Sequence, residues 1–239
     1  MRIAMWSGPR NISTAMMRSW GNRDDCTVVD EPLYAFYLSS TGLDHPGRAE
    51  TLSSQPHDWQ TVAEYLTGPI PDGKTFWYQK QMAHHLLPAV DHAWISQLEN
   101  CFLIRDPREM LTSLIEFIPQ PTAADTGLPQ QVELFNRLRE STGALPNVID
   151  SKDVLDDPPK ILRTLCEALS IPFDDAMLSW PPGARETDGA WAPYWYEKVN
   201  PTTKFAPYRP KPDQVPDELA SVHEECIELY EQLYPHRLH

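Results

Sequence analysis

The sequence predicts a three-layer α/β/α fold built on a central parallel sheet, and three observations carry that expectation. Short β-rich runs alternate with helical stretches along the chain, the pattern left by strand–helix–strand units. Most strand runs are continuously apolar, as in Ile3-Ala4-Met5-Trp6, which suits strands buried on both faces. The chain also opens with a strand, a tight turn containing Gly8 and a helix, an arrangement that presents unpaired backbone amides to an anion.

Taken in order, strands are expected over residues 2–6, 27–30, 75–79, 101–104 and 147–150. Helices are expected over 12–20, 33–38, 59–66, 107–117, 129–141, 159–169 and 216–234. Gly21-Asn22 would end the first helix. In Asp106-Pro107-Arg108-Glu109, Asp106 is the expected cap, proline suits the first helical position, and Glu109 would reach back to complete a capping box. Stretches 39–57 and 119–128, rich in Pro, Gly, Ser, Thr and Asp, read as loops or lids. No internal repeat is visible, so all 239 residues are assigned to one domain.

With 41% hydrophobic residues the chain can build a sizeable core. A net charge of −14 argues against a nucleic-acid partner, which needs a basic face. It also leaves the holding of any anion to local Arg and Lys side chains and backbone amides. No apolar run approaches the ~20 residues of a membrane span and no signal-peptide core is visible, so a soluble, cytoplasmic protein is expected. Cys26, Cys101, Cys166 and Cys226 are scattered without CxxC spacing and read as buried free thiols. The histidines lack ligand spacing, and no metal is expected.

Two stretches each suit a phosphate. The first is Ser7-Gly8-Pro9-Arg10-Asn11-Ile12-Ser13-Thr14, where a helix N-terminus, the Ser13 and Thr14 hydroxyls and the Arg10 fork can converge. It lacks the Gly-Lys-Ser/Thr ending of the nucleotide triphosphatase loop. The second is Leu103-Ile104-Arg105, with Ser113 eight positions further on. Arg105 ends an apolar strand, at the carboxyl edge where α/β folds bind ligands. Paired sites imply a nucleotide phosphorylated at two positions.

Together these stretches resemble the sulfotransferases that use PAPS (3'-phosphoadenosine 5'-phosphosulfate). A third stretch, Val148-Ile149-Asp150 through Asp157-Pro158 to Ile171-Pro172-Phe173, is similar to the strand, loop and helix that close that family's nucleotide domain. The resemblance implies that the loop Gly8, Pro9, Arg10, Asn11, Ser13 and Thr14 holds the 5'-phosphosulfate, and that Arg105 and Ser113 hold the 3'-phosphate. It further implies a late loop over the nucleotide, placed at 191–205 with Lys198 and Lys204. Arg10 stands where the best-known cytosolic members carry Lys, as in carbohydrate-type and bacterial relatives.

Sulfuryl transfer builds negative charge on the leaving oxygen, and Arg10, helped by Lys80, is the expected stabiliser. The acceptor needs a general base: Glu31, in a Glu-Pro that some family members share, with His84 and His85 competing. Aromatic residues Tyr34, Phe36, Tyr37 and those of 191–196 are available to line a pocket for a small-molecule or carbohydrate acceptor. A small-molecule kinase and a non-catalytic nucleotide-binding module are the alternatives.

Overall fold

The computed structural model describes residues 1–211 and 213–239. Five parallel strands form its sheet: β1 (Arg2–Ser7), β2 (Cys26–Asp30), β3 (Phe76–Met82), β4 (Glu99–Ile104) and β5 (Asn147–Asp150), in the order β2-β3-β1-β4-β5. Along β1 the side chains alternate between two cores. Ile3 and Met5 pack with Met16, Met17 and Trp20 of helix Ser13–Trp20 and with Leu162 and Leu165 of helix Pro158–Ala168. Ala4 and Trp6 pack on the other side with Leu66 of helix Trp59–Thr67, Phe135 of helix Leu128–Thr142 and Leu233 of helix Ala220–Leu233. The two-residue period of a strand, with helices covering both faces, explains why the sequence reads as unbroken apolar runs.

Several boundaries differ from expectation. Strand β3 continues through Gln79-Lys80-Gln81 to Met82, so Lys80 lies within the strand and not after it. All three polar side chains are buried: Gln79 donates to the Leu66 carbonyl at 2.9 Å and Lys80 is ion-paired. Paired polar side chains can continue a buried strand where an apolar run stops. The expected loop 39–57 contains helix Arg48–Ser54, which buries only Thr51 and so shows no helical period in its apolar residues. Region 119–128 holds one helical turn, Ala123–Thr126, closed by a Thr122/Asp125 capping box. A six-residue helix, Ser151–Asp156, directly follows β5, and the helix expected over 107–117 stops at Leu114. All four cysteines are buried and free.

The strand order fixes where a ligand can sit. From β1 the chain builds β2 and β3 on one side of the sheet, then crosses to place β4 and β5 on the other. The loops leaving β1 and β4 therefore part in opposite directions at the carboxyl edge, which opens a crevice at this switch point. Arg10 and Arg105 lie in those two loops.

Candidate active site

The loop after β1 is held from three sides. At Gly8 a Cβ atom would stand 2.0 Å from the Thr126 carbonyl oxygen, so close backbone approach requires the glycine. Arg10 and Ile12 both adopt left-handed backbone conformations, with φ of 64° and 57°. Strain of this kind persists only where surrounding contacts impose it. Those contacts are visible: Asn11 Nδ2 donates to the Leu103 carbonyl at 3.3 Å, and the Asn11 carbonyl accepts from Ser151 Oγ at 3.2 Å. The Asn11 amide thus ties the loop to the sheet.

Arg10 and Arg105 come together directly. An Arg105 Nη donates to the Arg10 backbone carbonyl at 2.6 Å, while the other reaches Glu109 Oε2 at 3.2 Å. Glu109 is taken up by Arg105 and by the Tyr208 hydroxyl at 2.6 Å, so the expected capping box is not formed and Asp106 caps alone. The Ser113 hydroxyl, which the resemblance pairs with Arg105 on a ligand, accepts from Arg10 Nε at 2.8 Å, and the Arg10 guanidinium lies 4.9 Å from the Phe117 ring centre. Burial lowers the Arg10 pKa, opposed by Glu116 and reinforced by Arg105. A guanidinium stays charged at any working pH all the same.

Two cavities open on this loop. One, of about 880 Å³, is lined by Arg10, Asn11, Ser13, Thr14, Arg105, Lys198 and Lys204 among others. The second, of about 790 Å³, is lined by Pro9, Glu31, Lys80, His84 and His85 together with aromatic side chains. Arg10, Ser13, Thr14, Trp195 and Tyr196 line both. Of the expected site residues, Gly8 and Ser113 line neither and act through the backbone and through Arg10.

The floor of the second cavity is a buried charge network. Lys80 Nζ donates to Asp30 Oδ1 at 2.9 Å, Glu31 Oε1 at 2.6 Å and the Tyr196 hydroxyl at 2.7 Å, and Tyr196 donates onward to Asp30 Oδ2 at 2.6 Å. An ammonium has three N–H donors. All are spent here, so Lys80 sets the position and charge of Glu31 and has no donor left for a ligand. Desolvation lowers the Lys80 pKa, but Asp30 and Glu31 more than offset it, leaving it well above the usual value. Burial raises the Glu31 pKa, with Lys80 opposing and Asp30 adding. Glu31 also sits at φ 39° ahead of Pro32, a strained placement for a residue before proline.

His84 and His85 are neutral. Burial pushes His84 down to about 4 and His85 well below the ordinary imidazole value. His85 is stacked between Tyr34 at 4.8 Å and Tyr37 at 4.7 Å and is 1% exposed, which favours His84 over it as a proton acceptor.

Asp30 and Asp188 are site residues that the sequence reading does not single out, and Tyr196, expected only as an aromatic of the pocket wall, also joins the charge network. Asp30 offered a signal, as the acid at the end of a strand beside Glu31. The bond between Tyr196 and Lys80 offered none, the two being 116 residues apart. Asp188 forms a buried ion pair with Arg18, and the Gly189 amide donates to Asp30 Oδ2 at 3.1 Å. These bonds bring the segment carrying Trp191, Trp195 and Tyr196 down over the sheet edge.

A switch-point crevice with two arginines opens into a second cavity that holds a carboxylate and an imidazole, in an α/β fold whose loops at this edge suit an anion. The sequence comparison narrows the class: the profile of the sulfotransferase domain matches residues 1–232, and the chain belongs to that family. The Arabidopsis thaliana branched-chain-amino-acid aminotransferase-like proteins 2 and 1 are each 35% identical to it, over 238 and 240 residues. Those alignments cover 99% of this chain and 42% of each relative, so the chain spans well under half their length. A sulfotransferase from Alicyclobacillus acidocaldarius shares the fold with a TM-score of 0.56 at 12% identity, covering 100% of this chain and 96% of its own. The sulfotransferase domain from the curacin biosynthetic pathway does so with a TM-score of 0.51 at 13% identity, covering 97% and 96%.

Among the described residues, no helix is long and apolar enough to cross a membrane, and no three His, Cys, Asp or Glu side chains are grouped to hold a metal ion.

Proposed function

We propose that the protein transfers a sulfuryl group from PAPS to a hydroxyl or amine of a small-molecule or carbohydrate acceptor. The observation that carries this reading is the shared wall. A cationic cavity and a carboxylate-bearing cavity meet at Arg10, Ser13 and Thr14. A donor in one and an acceptor in the other would touch at those residues.

The donor supplies the sulfuryl group and leaves as adenosine 3',5'-bisphosphate. The residues present fit it: Arg10, the Ser13 and Thr14 hydroxyls and the first amides of helix Ser13–Trp20 suit the 5'-phosphosulfate, and Arg105 with Lys204 suits the 3'-phosphate. Arg10, fixed by Ser113, holds its positive charge where negative charge grows during transfer. On the acceptor side Glu31 or His84 takes the proton that the acceptor gives up.

Calorimetric titration with adenosine 3',5'-bisphosphate, without metal, tests the reading. It should bind more tightly than 5'-AMP, and equal affinities would overturn the assignment of two phosphate sites.

A further inference from the structure

Resting on the sulfotransferase reading of this site, we propose that the acceptor is an amino alcohol, a hydroxyl compound whose ammonium or quaternary ammonium group is held in the aromatic part of the acceptor cavity. Four observations converge on a cationic occupant.

The cavity wall is a chain of rings. Phe117 packs on Trp195 with centroids 5.1 Å apart, Trp195 lies 6.4 Å from His45, His45 lies 6.0 Å from Tyr34, and Tyr34 meets Trp191 at 5.0 Å. All five line the cavity. Aromatic rings lining a cavity can hold a cation, and in this wall the Phe117 ring already has the Arg10 guanidinium 4.9 Å from its centre.

Arg10 apart, the carboxylates of the cavity and of the network beneath it outnumber the cations. Lys80 is a single positive charge set against both Asp30 and Glu31. Asp125 lines the same cavity and adds a further carboxylate. It is fixed in place, because its Oδ2 accepts from the Thr122 amide at 2.8 Å and from the Thr122 hydroxyl at 2.7 Å.

The imidazoles do not cancel this. His45, His84 and His85 all line the cavity, and burial is the largest influence lowering the pKa of each. They contribute neutral rings at neutral pH. Arg10, the other cation of the lining, sits at the boundary with the donor cavity.

The whole chain carries −14, which works against capture of an anionic donor but draws a cation toward the same mouth. A neutral alcohol or a sugar would gain nothing from these charges.

The test compares choline with 3,3-dimethylbutan-1-ol, which has the same shape without the charge. Each is titrated into the full chain, alone and with adenosine 3',5'-bisphosphate, and followed by tryptophan fluorescence and calorimetry. Choline should bind at least about tenfold more tightly. Asp125→Asn should lower choline affinity several-fold and leave the neutral analogue unchanged. Because Asp125 also caps a turn, Trp195→Leu and Trp195→Phe serve as a second pair: the leucine variant should lose the preference and the phenylalanine variant keep most of it. Equal binding of the two compounds, tighter binding of the neutral one, or no choline binding would overturn the proposal. If adenosine 3',5'-bisphosphate fails to bind while choline is still preferred, the donor assignment falls and the cation site stands.

Discussion

The Arg105 guanidinium donates to the backbone carbonyl of Arg10 at 2.6 Å. The loop leaving β4 therefore holds the loop leaving β1, across the crevice where the sheet changes direction. Two of the five Arg105 N–H donors are committed, to Arg10 and to Glu109, and the rest are available to a ligand. Any ligand held by Arg105 would be coupled to the shape of the first loop through one side chain.

Arg105→Ala should weaken adenosine 3',5'-bisphosphate by ~1.5–3 kcal/mol, the range for hydrogen bonds to charged groups. Binding of 5'-AMP should weaken less, since only the support of the Arg10 loop is lost there. Arg105→Lys should restore little, because an ammonium cannot span the carbonyl and a phosphate as the planar fork does. Calorimetry on the three proteins checks this, and unchanged affinity in the alanine variant would remove Arg105 from the site.

Ser113→Ala separates two roles for one hydroxyl. In the structure it accepts from Arg10 Nε at 2.8 Å. Its loss should cost ~0.5–1.5 kcal/mol of transition-state stabilisation, about a two- to tenfold fall in kcat. The ratio of affinities for adenosine 3',5'-bisphosphate and 5'-AMP should stay fixed. A selective loss for the bisphosphate would mean that Ser113 turns to the 3'-phosphate when ligand is bound.

The sheet and the two loops that carry Arg10 and Arg105 were legible because their signals are local. Apolar runs mark β1, β4 and β5, and Gly8, Arg10 and Arg105 stand at the ends of such runs. The second half of β3 was hidden by Gln79, Lys80 and Gln81, whose burial depends on partners far away in sequence. The choice of Ser113 by Arg10 could not be read either, because it is made by a helix orientation and not by an eight-residue spacing. The approach of Tyr196 to Lys80 depends on the Arg18–Asp188 pair and the Gly189 amide, contacts between residues more than 150 positions apart. Local pattern gives the loops, while the charge balance around Lys80 is tertiary.

The two candidate bases differ in their pH signatures. Burial raises the Glu31 pKa above the ordinary carboxyl value of 4.5, and His84 is pushed down to about 4. A base must be deprotonated to act, so activity should rise with pH through the pKa of whichever residue serves. The limb belongs to whichever residue removes it when substituted. Glu31→Gln should lower kcat by ~10²–10⁴ and abolish the limb, whereas His84→Asn should leave it in place. A profile unchanged in both variants would exclude both residues.

Lys80→Met probes the network beneath the second cavity. In the wild type one ammonium, 1% exposed, lies against the carboxylates of Asp30 and Glu31. Removing it leaves two buried carboxylates without a counter-charge, a change that costs about 3–5 kcal/mol when such a pair is broken. The Lys80 pKa is raised in the folded state, so its contribution is fully present below the unfolded value of about 10.5 and is lost only as pH rises through the still higher folded one. Wild-type stability should therefore show no Lys80-dependent loss between pH 5 and 9. In the variant the carboxylates bind protons more readily in the folded than in the unfolded state. Its stability should consequently fall as pH rises from 5 to 8, and the deficit should be smallest in acid. Adding Glu31→Gln should recover part of the loss at pH 8, because one of the two stranded charges is gone. Urea denaturation at both pH values measures all three proteins. A pH-independent deficit in Lys80→Met, unrelieved by the second substitution, would mean that packing and not charge balance is what Lys80 supplies.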